Sequence, residues 1–102
     1  MSFHHDVYFY PTENPGPDDA RKLEQLIRKH LTGIPGVLRI SVGVPAGTDR
    51  PVVDNDYMVA LFLEFADAEA EKAYQVHPDH AAFGTESRPL WSRVKVYDTI
   101  AE

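Results

Sequence analysis

The sequence contains no cysteine, no long apolar run and few basic residues. Without cysteine the protein forms no disulfide, thiolate nucleophile, iron–sulfur cluster or cysteine-ligated zinc site, which fits a reducing compartment. No apolar run approaches the roughly 20 residues that span a bilayer. The N-terminal segment has neither the basic region nor the hydrophobic core of a signal peptide. We therefore expect a cytoplasmic protein without a membrane partner.

The charge balance and the glycine spacing exclude several functional classes. The chain carries 16 acidic residues against 10 scattered Lys and Arg, which gives a formal net charge of -6. Nucleic-acid binding depends on clustered Lys and Arg, so we expect no nucleic-acid partner. The six glycines never approach the spacing of a phosphate-binding loop, and no Gly-x-Ser-x-Gly motif occurs. P-loop NTPases, Rossmann dinucleotide binders and serine hydrolases of that type are therefore excluded.

The pattern of apolar residues predicts one α+β domain over residues 1–102. Alternating and helical periodicities follow one another along the chain, separated by Pro- and Gly-containing turns. They predict strands at 3–10, 37–44, 57–65 and 92–99, and helices from Asp18 or Asp19 to about Thr32, from 66–67 to 76, and at 79–87. Strand, helix, strand, strand, helix, strand is the ferredoxin-like βαββαβ order, with a four-stranded antiparallel sheet.

The third predicted strand is apolar on both faces, which indicates an assembly. A single layer of helices covers one face of a four-stranded sheet, and a second copy of the same sheet is the simplest cover for the other. We therefore expect a homodimer, a dimeric α+β barrel. The two faces consist of Tyr57, Val59, Leu61, Leu63 and Phe65 on one side and Met58, Ala60 and Phe62 on the other.

The stretch from Tyr74 to Phe83 contains the residues best suited to chemistry. A residue before proline is pushed out of the helical region, so the helix should end by His77 and Asp79 should cap the next one. Side chains on either side of such a break project into a cleft. Because a histidine exchanges protons near neutral pH and a tyrosine hydroxyl can orient a carbonyl, we predict Tyr74 and His80 as a catalytic pair. A purely structural pair is the alternative.

Further candidates surround this pair. His5 lies on the apolar face of the first strand and is a weaker third catalytic candidate, unless it is simply solvated near the chain end. Aromatic residues at such positions line clefts in some proteins and fill cores in others. The predicted ligand-binding residues are Phe9, His77, Phe83 and Trp91.

A metal site at the same stretch is an alternative that we set aside. His77, Asp79 and His80 offer ligand atoms for a divalent ion. Pro78, however, disrupts the helical geometry that would aim both imidazoles at one point, and no third distant ligand is evident. We therefore expect no metal and no cofactor.

The motif Tyr-x-x-His-Pro-x-His-x-x-Phe at 74–83 resembles that of the stress-responsive α/β-barrel (Dabb) domain family. Leu90-Trp91, the closing strand 94–98, His5, and the segments 34–37, 44–45 and 50–55 fit the same family. The resemblance implies a small dimeric ferredoxin-like barrel. In the polyketide cyclase branch, a tyrosine and a histidine at the places of Tyr74 and His80 close a ring by an aldol-type reaction. The resemblance thus implies binding or conversion of a small enolisable or polyketide-like molecule. A non-enzymatic stress-responsive or ligand-sequestering dimer is the alternative.

Overall fold

The computed structural model describes residues 1–102 and shows a four-stranded antiparallel sheet in the order β2-β3-β1-β4. Helices pack on one face of this sheet. The elements are β1 (Ser2–Pro11), α1 (Asp19–His30), β2 (Arg39–Gly43), β3 (Val59–Phe65), α2 (Ala68–Gln75), α3 (Pro78–Ser87), a 3-10 turn (Arg88–Leu90) and β4 (Trp91–Ala101). The predicted ferredoxin-like α+β fold is confirmed. Its second helical segment is divided into α2 and α3.

The central strand β1 fixes which side chains face the helices. Its side chains alternate between the buried, helix-facing side and the opposite side, as its sequence predicts. His5 is only 5% exposed, so the alternative that it is solvated near the chain end is wrong. The helix-facing side chains are Phe3, His5, Val7 and Phe9, and they pair across β3 with Phe65, Leu63, Leu61 and Val59.

Helix α1 supplies the main apolar contact with the sheet. Leu23, Ile27 and Leu31 follow the helical repeat and are fully buried. Asp18, one of the two residues predicted to cap this helix, is its N-cap residue, but its side chain makes no capping hydrogen bond. Asp19 instead accepts a hydrogen bond from the Gly16 backbone N–H at 2.9 Å, so its carboxylate orders the turn before the helix.

Strand β2 is shorter than its alternating pattern predicts. Pairing with β3 begins at Arg39 and ends at Gly43, which lies opposite Ala60. Leu38 and Val44, predicted on the apolar face of this strand, are 64% and 62% exposed. β2 is an edge strand with β3 as its single neighbour in the sheet, so its ends are left open to solvent.

The break between α2 and α3 is organised by His77 and Pro78. His77 adopts an extended conformation and its Nδ1 accepts a hydrogen bond from the Asp79 backbone N–H at 3.0 Å. The prediction that Asp79 caps this helix is therefore wrong. Pro78 occupies the first helical position, where its fixed φ suits the helix and its missing N–H needs no partner.

The sheet face opposite the helices carries an aromatic cluster. The Tyr8 ring lies 5.0 Å from that of Tyr57, 6.1 Å from that of Phe62 and 6.0 Å from that of Tyr97, centroid to centroid. Phe62 and Tyr97 remain 38% and 56% exposed. We call this the open face.

No helix of the protein has the length and apolar character that crossing a membrane requires.

The burial of α1 predicts a large difference between two identical substitutions. Leu23→Ala removes a fully buried side chain and should lower the free energy of unfolding by about 2 to 5 kcal/mol. Leu38→Ala, at a position that is 64% exposed, should change it by less than about 1 kcal/mol. Denaturant unfolding measures both, and equal losses would contradict the described core.

Candidate functional site

A cavity of about 230 Å³ lies between α3 and the helix-facing side of β1 and β4. Every element of the sheet except β2 contributes to its wall, together with the end of α2. The lining residues are His5, Val7, Phe9, Leu61, Tyr74, Gln75, His80, Phe83, Gly84, Ser87, Trp91, Val94 and Val96.

The sequence places the polar residues of this wall by two local rules. Alternation along β1 turns His5 towards the helices. The proline break ends α2 just after Tyr74 and starts α3 just before His80, so the two side chains meet across the break. Residues that are six positions apart thus bring their ring centroids to 4.9 Å, at an interplanar angle of 72°.

Tyr74 and His80 have polar atoms that the protein leaves unpaired. Tyr74 is 1% exposed and packs its ring against Phe65, with centroids 5.2 Å apart. Neither the Tyr74 hydroxyl nor the ring nitrogens of His80 form a hydrogen bond to another protein group. Both residues line the cavity. Their hydrogen-bonding capacity is therefore directed at whatever occupies it.

Burial shifts the pKa values of Tyr74 and His80 in opposite directions. Desolvation, with a smaller contribution from Glu71, raises the pKa of Tyr74. Desolvation also lowers the pKa of His80, and nearby His5 adds to this effect while Glu71 opposes it. At neutral pH the phenol therefore keeps its proton and the imidazole is uncharged. The cavity wall holds a proton donor beside a proton acceptor.

His5 belongs to a separate polar network at the same end of the cavity. Its Nδ1 donates to Asp98 Oδ1 at 2.6 Å, since a carboxylate can only accept, and lies 3.7 Å from Glu71 Oε2. Its Nε2 lies 3.4 Å from the amide nitrogen of Gln75, which also donates to Glu71 at 2.7 Å. Both ring nitrogens of His5 have partners, so this histidine is less available to a ligand than His80.

The other end of the cavity is apolar. The Phe9 ring lies 6.0 Å from that of Phe83 and 6.0 Å from that of Trp91, in edge-to-face contacts. The only strongly polar atom of these rings, Trp91 Nε1, donates to the buried Ser87 Oγ at 3.1 Å. Outside the cavity lining, the Arg88 guanidinium stacks over the Trp91 ring at 4.3 Å. This wall excludes water and offers no free hydrogen-bonding group from its rings.

A second recess, of about 270 Å³, lies on the open face and contains no histidine. It is lined by Tyr8, Tyr10, Asp54, Tyr57 and Tyr97. Tyr10 donates to Asp54 at 2.6 Å, and this bond raises the pKa of Tyr10 to about 12. The Arg93 guanidinium covers the Tyr10 ring at 4.0 Å. The helix-side cavity combines a tyrosine with a histidine, which can exchange protons near neutral pH, and is therefore the candidate site.

Of the seven residues predicted from the sequence, six line the helix-side cavity. His5, Tyr74 and His80 form its polar end, and Phe9, Phe83 and Trp91 its apolar end. His77 does not line the cavity, because its imidazole caps α3. No group of three or more His, Asp or Glu side chains is arranged to hold a metal ion.

Four polar residues near the site were not predicted. Glu71 and Gln75 are spaced one helical turn apart on α2, and this spacing next to Tyr74 is a signal that sequence reasoning missed. Asp98 lies opposite His5 only because of the β1–β4 register, which strand prediction does not supply. Ser87 carries no sequence signal of its burial.

Comparisons with known proteins agree on the fold. Residues 3–101 match the family model of the stress responsive A/B barrel domain. A dimeric ferredoxin-like protein of unknown function from Thermobifida fusca has 21% identity and a TM-score of 0.79, with 99% of this chain and 92% of that chain covered. A Dabb family protein with a ferredoxin-like fold from Mesorhizobium loti has 24% identity and a TM-score of 0.78, with 99% of this chain and 97% of that chain covered. The hydroxynitrile lyase from Passiflora edulis has 14% identity and a TM-score of 0.80, covering 100% and 94%. No curated protein matches the chain.

The lowered pKa of His80 predicts a pH-dependent stability. The folded protein binds a proton at His80 less readily than the unfolded chain does, so stability is fully present above the unfolded pKa of about 6.5 and falls as the pH drops below it. Between about pH 7.5 and about pH 5, the parent protein should therefore lose more unfolding free energy than His80→Gln. Urea unfolding at the two pH values measures the difference. Equal losses of unfolding free energy in the parent and in His80→Gln would contradict the lowered pKa of His80.

Proposed function

Because this chain belongs to the stress responsive A/B barrel domain family, we propose that its helix-side cavity binds a small molecule with an enolisable carbonyl or a phenolic hydroxyl. His80 acts as acid or base on this ligand, and Tyr74 donates a hydrogen bond to it. One observation carries the proposal: the polar atoms of these two residues face one apolar cavity without a protein partner. Buried polar groups without partners cost stability, and a ligand that bonds to both offsets this cost.

The proposed reaction follows from the two protonation states. The neutral His80 imidazole removes a proton from the carbon beside the carbonyl, and the electrons of that C–H bond move onto the carbonyl oxygen. The Tyr74 hydroxyl donates a hydrogen bond to this oxygen as negative charge develops on it. Protonated His80 then returns the proton to the enolate or to a product. A raised pKa at Tyr74 and a lowered one at His80 support these two roles.

The surroundings of the pair support acid–base chemistry over simple packing. The aromatic wall of Phe9, Phe83 and Trp91 keeps water away, and a hydrogen bond to a developing enolate is stronger in such an environment. The fold is compatible with catalysis, since one structural neighbour is a hydroxynitrile lyase. Ligand binding without turnover would instead favour a ligand-sequestering role for the same cavity.

We also propose that the protein is a homodimer in which two open faces pack together. The open face exposes Phe62 and Tyr97 at its centre, and burying them against a second copy removes apolar area from water. Several structural neighbours are described as dimeric. The lack of cysteine fits a cytoplasmic location for this dimer.

The binding proposal predicts that two small changes remove ligand binding without unfolding the protein. His80→Ala and Tyr74→Phe should each weaken binding of a small phenol or aryl ketone by at least about tenfold, because each removes one of the two unpaired groups. NMR titration at up to about millimolar ligand measures affinity, and melting temperature measures stability.

His4→Ala and Tyr97→Phe are matched controls, because they remove the same groups from the opposite side of the sheet. They should leave binding unchanged. If the His80 and Tyr74 variants melt several degrees lower and the parent protein binds none of the ligands, the pair is structural and the proposal is wrong.

The dimer proposal predicts that a charge on the open face separates the subunits. Phe62→Asp places a carboxylate where two copies meet, and burial of that unpaired charge is costly. Sedimentation at about micromolar protein should show twice 11.5 kDa for the parent and one copy for the variant. Val76→Asp, an equivalent change at an exposed position beyond α2, should stay dimeric. A folded parent monomer would refute the proposal.

A further inference from the structure

We infer that the helix-side cavity selects neutral molecules built on a single ring and rejects carboxylates, an inference that rests on the proposed function of this cavity. Two independent features carry it. The first is the size of the cavity, and the second is the charge gathered behind His5.

The volume of the cavity sets the size of the ligand. Its roughly 230 Å³ exceeds the ~150 Å³ of an engineered apolar cavity that binds benzene. It falls below the ~300 Å³ at which pockets for drug-sized molecules begin. One ring with a short polar substituent fits this space, with the ring against Phe9, Phe83 and Trp91 and the substituent towards Tyr74 and His80.

The polar end of the cavity carries net negative charge in either protonation state of His5. Asp98 lies 2.6 Å and Glu71 3.7 Å from the same ring nitrogen of His5. Two carboxylates outweigh one imidazolium, and with a neutral imidazole the excess is larger. His80 adds no compensating charge at neutral pH, since its pKa is lowered. No Lys or Arg lines the cavity.

A carboxylate ligand is therefore disfavoured twice. It gives up its hydration on entering an apolar cavity, and it then faces charge of its own sign across the His5 ring. A neutral hydroxyl or carbonyl meets neither penalty. The Tyr74 hydroxyl can donate to its oxygen, and a neutral His80 nitrogen can accept from a hydroxyl.

A cationic ligand is also disfavoured, although the local charge is negative. Neither Asp98 nor Glu71 lines the cavity itself. An ammonium group in the cavity would thus lose its hydration without reaching a free carboxylate. The negative charge shapes the potential of the site and does not form a direct ion pair with the ligand.

The proposed proton transfer is consistent with this charge. Removal of a proton by His80 creates an imidazolium and an enolate together, so the net charge of the cavity does not change. Glu71 stabilises the imidazolium, as its upward effect on the pKa of His80 indicates. A carboxylate substrate, in contrast, would bring in net charge before any reaction.

Three ligands of nearly equal shape test the inference. Benzyl alcohol, benzoate and benzylammonium are titrated separately by NMR into the parent protein near neutral pH. We expect benzyl alcohol to bind at least about tenfold more tightly than either ion. Asp98→Asn and Glu71→Gln are made singly and together, and both replacements can still hydrogen-bond within the His5 network. In these variants the ratio of the affinities for benzyl alcohol and benzoate, the affinity gap, should narrow by several-fold. Asp49→Asn, which removes an exposed charge from the β2–β3 loop, should leave the gap unchanged.

Each contrary result has a distinct meaning. If all three ligands bind within about threefold of one another, charge selection is wrong while the site itself stands. If benzoate or benzylammonium binds most tightly, the preference for neutral ligands is overturned. If none of the three binds at about 10 mM while a small phenol does, this inference fails and the proposed function stands; if the phenol does not bind either, both fail. Because the comparison uses the unmodified protein, it does not depend on the folding of any variant.

Discussion

The candidate site depends on the backbone constraint that Pro78 imposes. A proline has no N–H to continue the hydrogen bonds of α2 and pushes the residue before it out of the helical region. His77 therefore leaves the helix and caps α3 with its own ring nitrogen. The chain changes direction within a few residues, and the last turn of α2 faces the first turn of α3. Tyr74 and His80 meet because of this break, not because they share a helix face.

A second constraint acts across the sheet. The register of β1 against β4 sets His5 opposite Asp98, and the packing of α2 brings Glu71 and Gln75 to the same imidazole. Three elements distant in sequence thus determine the environment of one ring. Asp98 lies on an edge strand and is partly exposed, so its hydrogen bond to His5 is worth less than a fully buried one. Its larger effect is on the tautomer and the charge at this end of the cavity.

Sequence patterns predicted those features that depend on near neighbours. Alternation in β1 and the helical repeat of α1 identified the buried faces, and the His-Pro motif located the break. Features that depend on the position of a strand in the sheet were missed: the exposed ends of β2 follow from its place at the edge, and the partner of His5 follows from the β1–β4 register. The cap of α3 was misassigned to Asp79 because several side chains compete for the same backbone N–H groups, and local composition does not rank them.

The candidate site shares part of its wall with the core, since Phe9, Tyr74 and Phe83 belong to both. Leu23, Ile27 and Leu31 pack α1 as part of the main core, without lining the cavity. The cavity lies towards the other edge, where β4 is largely exposed and where Tyr74 and His80 carry unpaired polar atoms. An unpaired buried polar group lowers stability, and a domain of this size has only a small margin. The α1 side of the core offsets that cost, while Phe9, Tyr74 and Phe83 both hold the fold together and line the cavity.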